Sequence, residues 1–257
     1  MKKIAVLIFA LFSVLISFSQ DTIVTTVPVD TMPTIDRPTP QRWNAANINN
    51  RSKDHLLIQL GYAGWAQKPD SIMTKGIARA FNIYFMFDFP FKTSPKLSVG
   101  IGAGISASNI YFDKTMIDIA GKNSNELRFQ DVSDTSNFKK YKFLTTYLEA
   151  PVELRYTANP YNPARSWKFA VGGKIGTLLS ASTKGKNLQN SGGQSILNYT
   201  LKEKSKRFIN STRLSATARV GYGNFSLFGS YQINSFVKEG FGPDIRPYMV
   251  GLTLSGL

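Results

Sequence analysis

In the second half of this 257-residue chain, polar and apolar residues alternate, and several of the polar positions are charged. These charged side chains are the chain's best candidates for chemistry. Glu149 and Glu153 are carboxylates on the same side of the alternation, which could act as general acid and base or line a proton or ion pathway. Basic residues occupy the polar positions of the alternating segments that follow. Together the candidates are Glu149, Glu153, Arg155, Lys168, Lys174, Arg213 and Arg219.

The distance of these residues from the nearest short turns predicts two layers. The layer far from the turns contains Glu149, Lys174 and Arg213. The layer close to the turns contains Glu153, Lys168 and Arg219. A narrow barrel has little more interior than its own side chains fill, and buried charges persist there when they are paired. We therefore interpret the layers as structural ion pairs, in preference to a pathway or a catalytic pair.

Three glycines, Gly100, Gly102 and Gly104, alternate with other residues and could suggest a loop that cradles phosphate. A phosphate loop leads into a helix whose N-terminus faces the anion, whereas these glycines are spaced by two along a predicted strand. The spacing places all three on one face of that strand. We interpret them as residues that face the narrow interior of a barrel.

Metal and cofactor chemistry has little support in the composition. His55 is the single histidine, and the chain has no cysteine. The lack of cysteine excludes disulfides, iron–sulfur clusters, thiolate zinc sites and a cysteine nucleophile. We expect no cofactor and no metal, and we interpret His55 as a polar residue at a membrane interface.

The first nineteen residues have the pattern of a secretory signal peptide. Lys2 and Lys3 precede an apolar run over residues 4–16, which ends before the small residues Ser17 and Ser19. This run is shorter than the ~20 residues that a membrane-spanning helix needs. The pattern predicts a signal peptide over residues 1–19 and an exported mature protein.

Residues 20–53 are rich in Thr, Pro, Asp and Asn and hold neither a helical nor a strand period. Such a composition cannot bury a core, so we predict a disordered periplasmic N-terminal arm. The arm is either a plain linker or a segment that binds a partner.

Eight segments of alternating polarity follow, and each has one apolar face and one small or polar face. They span residues 55–67, 78–91, 96–112, 142–158, 167–183, 207–222, 225–237 and 245–257. Short turns alternate with longer loops between them. An even number of strands with this asymmetry is typical of an outer-membrane barrel, although a soluble barrel or sandwich could show the same alternation. We predict an all-β, eight-stranded antiparallel up-and-down transmembrane β-barrel over residues 54–257, with both termini in the periplasm.

A basic region follows the fifth segment, in a chain whose formal charge is +15. Its cationic side chains are Lys184, Lys186, Lys202, Lys204, Lys206 and Arg207. An exported chain meets lipopolysaccharide phosphates before any nucleic acid, so we expect no nucleic-acid partner. Two interpretations stay open: an outer loop that contacts lipid phosphates, or a solvated loop without a ligand.

The fourth segment carries a family resemblance. The sequence from Thr146 to Tyr156, TYLEAPVELRY, resembles the corresponding strand of the PorT-like outer-membrane β-barrel family of the Bacteroidota. The glycine-rich third segment and the ending VGLTL are similar too, and the resemblance covers residues 54–257. It implies a barrel of a family whose members mostly have no assigned chemistry, some of whose relatives belong to the type IX secretion and gliding apparatus.

These observations predict a non-enzymatic outer-membrane barrel that serves as a structural or accessory subunit of a cell-envelope assembly. The expected partners are outer-membrane lipid, lipopolysaccharide, and envelope proteins that bind the loops or the arm. A narrow solute or ion channel is the alternative. A hydrolase or acyltransferase would need a nucleophile and a base clustered at one rim, and the sequence offers no such cluster.

Overall fold

The computed structural model of the chain describes residues 55–122 and 124–256, so the predicted signal peptide and N-terminal arm lie outside the described residues. Eleven strands and one 3₁₀ turn, Pro163–Arg165, make up the described part. The strands are β1 (Leu56–Ala66), β2 (Arg79–Pro90), β3 (Leu97–Phe112), β4 (Thr115–Ile117), β5 (Phe129–Asp131), β6 (Asn137–Thr157), β7 (Trp167–Gln189), β8 (Ser195–Lys204), β9 (Thr212–Tyr222), β10 (Phe225–Gln232) and β11 (Arg246–Ser255).

Eight of these strands close into a barrel. The order is β1, β2, β3, β6, β7, β9, β10 and β11, each pair is antiparallel, and β11 pairs with β1 to complete the ring. Chain order and spatial order are therefore the same. The predicted eight-stranded antiparallel up-and-down barrel is confirmed, and closure leaves no free edge among the eight strands.

The structure corrects the prediction of a loop after the fifth segment. Strand β7 continues to Gln189 and turns into β8, so the basic region is largely a β-hairpin. The small hairpin of β4 and β5 was also not predicted. Most β8 side chains are exposed. A strand without a buried face has no apolar alternation, so the periodicity of the sequence did not reveal it.

The two ends of the barrel differ. At one end, which we call the short-turn end, residues 91–96, 158–166 and 223–224 connect the strands. At the other end, the long-loop end, the connections include residues 67–78, 113–136 and 233–245 together with the β7–β8 hairpin. Among the described residues, no helix is long and apolar enough to cross a membrane.

Large apolar side chains cover the outside of the barrel, because the strand residues that face outward are the apolar ones of each alternation. Phe85 and Phe87 on β2, for example, are more than half exposed. Aromatic rings collect on the outer face near the short-turn end, where Trp167 contacts both Phe169 and Tyr222. An apolar belt bordered by aromatic residues is typical of a barrel surface in contact with lipid.

The interior toward the long-loop end is apolar. Trp65 lies at its centre and contacts the rings of Phe112, Phe129, Phe143 and Phe236. Residues of the long loops fold inward onto these rings and are almost completely buried. We call these loop residues the loop plug: Ile72, Ile119, Leu127, Phe208, Ile209, Phe236, Val237 and Ile245.

Candidate functional site

The predicted layer far from the turns forms one cluster around Glu149 in the barrel interior. Its Oε1 lies 3.2 Å from Nη1 of Arg213, and its Oε2 lies 3.7 Å from Nζ of Lys174. Tyr84 donates a 2.6 Å hydrogen bond from its hydroxyl to Oε2 of Glu149. The side chains of Glu149, Lys174 and Arg213 are at most 4% exposed. One carboxylate is thus the shared counter-ion of two buried cations.

Four strands position this cluster, and glycines make the space for it. Glu149 on β6 pairs in register with Gly104 of β3 and with Gly176 of β7. A Cβ atom on Gly104 would lie 2.6 Å from the Tyr84 ring, and one on Gly176 would lie 2.8 Å from Cγ of Glu149. Gly104, one of the glycines that the sequence predicts to face inward, and Gly176, which was not singled out, therefore leave the space that Tyr84 and Glu149 fill.

Aromatic rings lie beside both cations of this cluster. The guanidinium of Arg213 is 5.0 Å from the centre of the Tyr147 ring, and the Lys174 ammonium is 5.4 Å from that of Tyr84. The negative face of an aromatic ring attracts a cation, and the attraction is stronger in a desolvated site. The rings therefore supplement the single carboxylate in holding two positive charges.

A second cluster lies nearer the short-turn end. Oε2 of Glu153 is 2.7 Å from Arg219 and 3.1 Å from Nε of Arg155. Arg155 also reaches Asp88, with 3.4 Å between Nη1 and Oδ1, and Ser98 donates a 2.7 Å hydrogen bond to the same carboxylate oxygen. Two carboxylates and two guanidinium groups thus form a buried network across β2, β3, β6 and β9.

This second cluster differs from the layer that the sequence predicts. Arg155 belongs to it, and Lys168 lies at the cavity of the short-turn mouth that Arg155 and Arg219 also line. Asp88 was missed, although it lies on the polar face of the second predicted segment. Asp88 is on β2 and its partner Arg155 is on β6, and these two strands are not neighbours in the barrel. No spacing along the sequence therefore relates the two residues.

The carboxylates of both clusters are occupied by ion pairs inside the barrel. Glu149 and Glu153 are buried and each is engaged by two cations, so neither carboxylate is free to bind a substrate. Within residues 55–122 and 124–256, no three His, Asp or Glu side chains are grouped closely enough to hold a metal ion. His55 stacks on Phe85, and its Nδ1 is 3.1 Å from the carbonyl oxygen of Met86.

The six basic residues that the sequence offers as possible contacts for lipid phosphates fall into two groups in the structure. Lys184 and Lys186 on β7 and Lys202 and Lys204 on β8 are exposed on the hairpin. The other two residues fold back onto the protein. Nζ of Lys206 donates to the carbonyl oxygen of Leu178, and the guanidinium of Arg207 donates to Asn125.

No curated protein matches the chain in sequence. Among solved structures, the chain is similar to Ail, the attachment invasion locus protein of Yersinia pestis. The structure of Ail with the heparin analogue sucrose octasulfate is 14% identical, with 79% of this chain and 97% of Ail covered and a TM-score of 0.33. A second structure of Ail is 15% identical, with 79% and 99% covered and a TM-score of 0.34. The model of the outer membrane protein beta-barrel domain family matches residues 46–253, which is most of the chain, so this protein belongs to that family of outer-membrane barrels.

Proposed function

We propose that this protein is a non-enzymatic, non-conducting barrel that serves as a structural or accessory subunit of a cell-envelope assembly. The filled interior is the observation that supports this function. Two networks of paired charges occupy the half toward the short turns, and Trp65 with the loop plug occupies the other half. A barrel filled in this way offers its outer surface and its loops for interactions.

The same proposal gives the orientation and the partners. The short-turn end faces the periplasm, because outer-membrane barrels have short periplasmic turns and longer external loops. Both termini then lie in the periplasm, after removal of a signal peptide over residues 1–19. The partners are outer-membrane lipid, lipopolysaccharide, and envelope proteins that bind the long loops or residues 20–53. The resemblance of Thr146 to Tyr156 to PorT-like barrels supports an accessory role of this kind.

Conductance in planar bilayers tests the proposal against a narrow channel. The purified full-length barrel should carry no steady current under conditions in which a general porin conducts. In mild detergent extracts of the native outer membrane, it should migrate as part of a complex larger than the monomer. A steady current whose ion preference changes in Glu149→Gln would overturn the proposal in favour of a channel, because a conducting pathway would pass this carboxylate.

A further inference from the structure

Strands β6, β7 and β8 extend beyond the barrel at the long-loop end, and lysines cover the outward face of this extension. Lys142 of β6 lies directly opposite Lys184 of β7, which in turn lies directly opposite Lys202 of β8. The neighbouring rows add Lys140 opposite Lys186, and Lys204 opposite Ser182. We call these residues the lysine face: Lys140, Lys142, Lys184, Lys186, Lys202 and Lys204.

A bulge in β7 places the lysines of β7 on the same face as the lysines of β6. Thr146 pairs with Ser180 and Tyr147 pairs with Leu178, so Leu179 has no opposite residue on β6. One extra residue in a strand reverses which later side chains point outward. Beyond Leu179 the even-numbered residues of β7 therefore share the face of Lys140 and Lys142.

Lysines that lie directly opposite each other on neighbouring strands repel one another unless a counter-ion is present. Directly opposite residues of paired antiparallel strands have Cβ atoms about 4.5–5.5 Å apart, and like charges at that spacing destabilise a sheet. Within the described part of the chain, no carboxylate forms an ion pair with any member of the lysine face. The nearby carboxylate of Glu203 pairs instead with Lys122 of the loop between β4 and β5. The described residues therefore provide no carboxylate as a counter-ion for the lysine face.

The position of the lysine face indicates where those anions come from. The outward row of β6 runs from Tyr156 through Val152, Leu148 and Leu144 to Lys142. Lys142 is two residues beyond Leu144, about 7 Å along the strand. It also lies 5.8 Å from the ring of Tyr111, an outward residue of the neighbouring strand. The lysines thus continue the lipid-facing surface just past its apolar part, where the phosphates of the outer leaflet would meet the barrel in the proposed orientation.

We propose that the lysine face binds the phosphate groups of lipids in the outer leaflet, with phosphorylated glycolipid headgroups as the class that fits best. The rows of lysines are about 7 Å apart and the strands about 4.8 Å apart, so the six side chains leave the sheet within one compact area and can approach neighbouring phosphates together. Lysine binds phosphate as a point charge and needs no fixed bidentate geometry. This inference rests on the proposed orientation, in which the long-loop end lies outside the cell.

Stability in nanodiscs tests the inference on the full-length barrel. In phosphatidylcholine discs that contain diphosphoryl lipid A, the urea midpoint of the wild type should be higher than in pure phosphatidylcholine. The combined variant Lys142→Gln, Lys184→Gln and Lys202→Gln should lose this increase. In pure phosphatidylcholine the same variant should be at least as stable as the wild type, because the substitutions remove a repulsion. In about 1 M salt, where charges are screened beyond about 3 Å, the wild-type increase should disappear.

A matched control separates the lysine face from net charge. The variant Lys114→Gln, Arg128→Gln and Lys139→Gln removes the same charge from exposed positions at the same end, and it should keep the full increase. If the lysine variant gains as much from lipid A as the wild type, the inference is wrong. It is also wrong if inorganic polyphosphate stabilises the barrel in pure phosphatidylcholine while lipid A does not, since the face would then bind a soluble polyanion. These outcomes do not depend on conductance, which tests the proposed function separately.

Discussion

Glu149 and Arg213 form an ion pair in the interior of the barrel, with 3.2 Å between Oε1 and Nη1 and side-chain exposures of 1% and 4%. The same carboxylate is also the counter-ion of Lys174. The cluster therefore has one negative charge for two positive charges. Its members are not equivalent, since loss of the carboxylate leaves two cations and loss of one cation leaves a neutral pair.

We predict from this imbalance that Glu149→Gln destabilises the barrel by about 3–5 kcal/mol, the cost typical of an uncompensated buried charge. Lys174→Met should cost clearly less, because Glu149 and Arg213 still neutralise each other. Urea unfolding of the refolded barrel in lipid vesicles measures both changes in the free energy of unfolding. Equal losses for the two variants would show that Glu149 does not have to compensate both cations.

Gly104 should tolerate no larger residue. A Cβ atom there would lie 2.1 Å from the carbonyl oxygen of Ile83 and 2.6 Å from Cα of Tyr84, and these backbone atoms cannot move away without separating β2 from β3. We expect Gly104→Ala to cost about 3 kcal/mol or to prevent folding. Gly229→Ala is the control, because a Cβ atom on Gly229 has no neighbour within 4 Å. The mobility of unheated samples in SDS gels reports the folded fraction, and similar fractions for the two variants would contradict the prediction.

The fluorescence of two tryptophans should distinguish the outer surface of the barrel from its interior. Trp167 is 55% exposed on the outer face, whereas Trp65 is 8% exposed inside the barrel. In variants that retain a single tryptophan, brominated lipids should quench the fluorescence of Trp167 strongly and that of Trp65 weakly. Strong quenching of Trp65, or none of Trp167, would mean that the apolar belt does not face lipid.

The orientation in the membrane can be read from labelling of single cysteines, since the natural chain contains none. Ser191→Cys lies beyond the end of β7 in the hairpin, and Asn224→Cys lies in the turn between β9 and β10. On intact cells, a membrane-impermeant maleimide should label Ser191→Cys and leave Asn224→Cys unmodified until the outer membrane is permeabilised. The reverse pattern would place the long loops in the periplasm.

The alternation of the sequence was sufficient to predict the eight barrel strands and the inward side of Glu149, Lys174 and Arg213. This is because strand side chains point to opposite faces in turn, and one face has to be apolar. The same rule predicted that the glycines at positions 100, 102 and 104 face inward, because their side of β3 had to be the narrow interior.

Only the tertiary structure decided which residues meet in the cluster near the short turns. Asp88 and Arg155 come together through the closure and register of the barrel, which no local spacing encodes. The loop plug also escaped prediction. The predicted segments include Phe208 and Ile245 as strand residues, whereas β9 begins at Thr212 and β11 begins at Arg246, so both residues lie in loops. The lysine face depends on a single bulge at Leu179, which exchanges the two faces of β7. A local pattern determines which side of a strand is buried, whereas the contacts across the interior depend on how distant strands are placed in register.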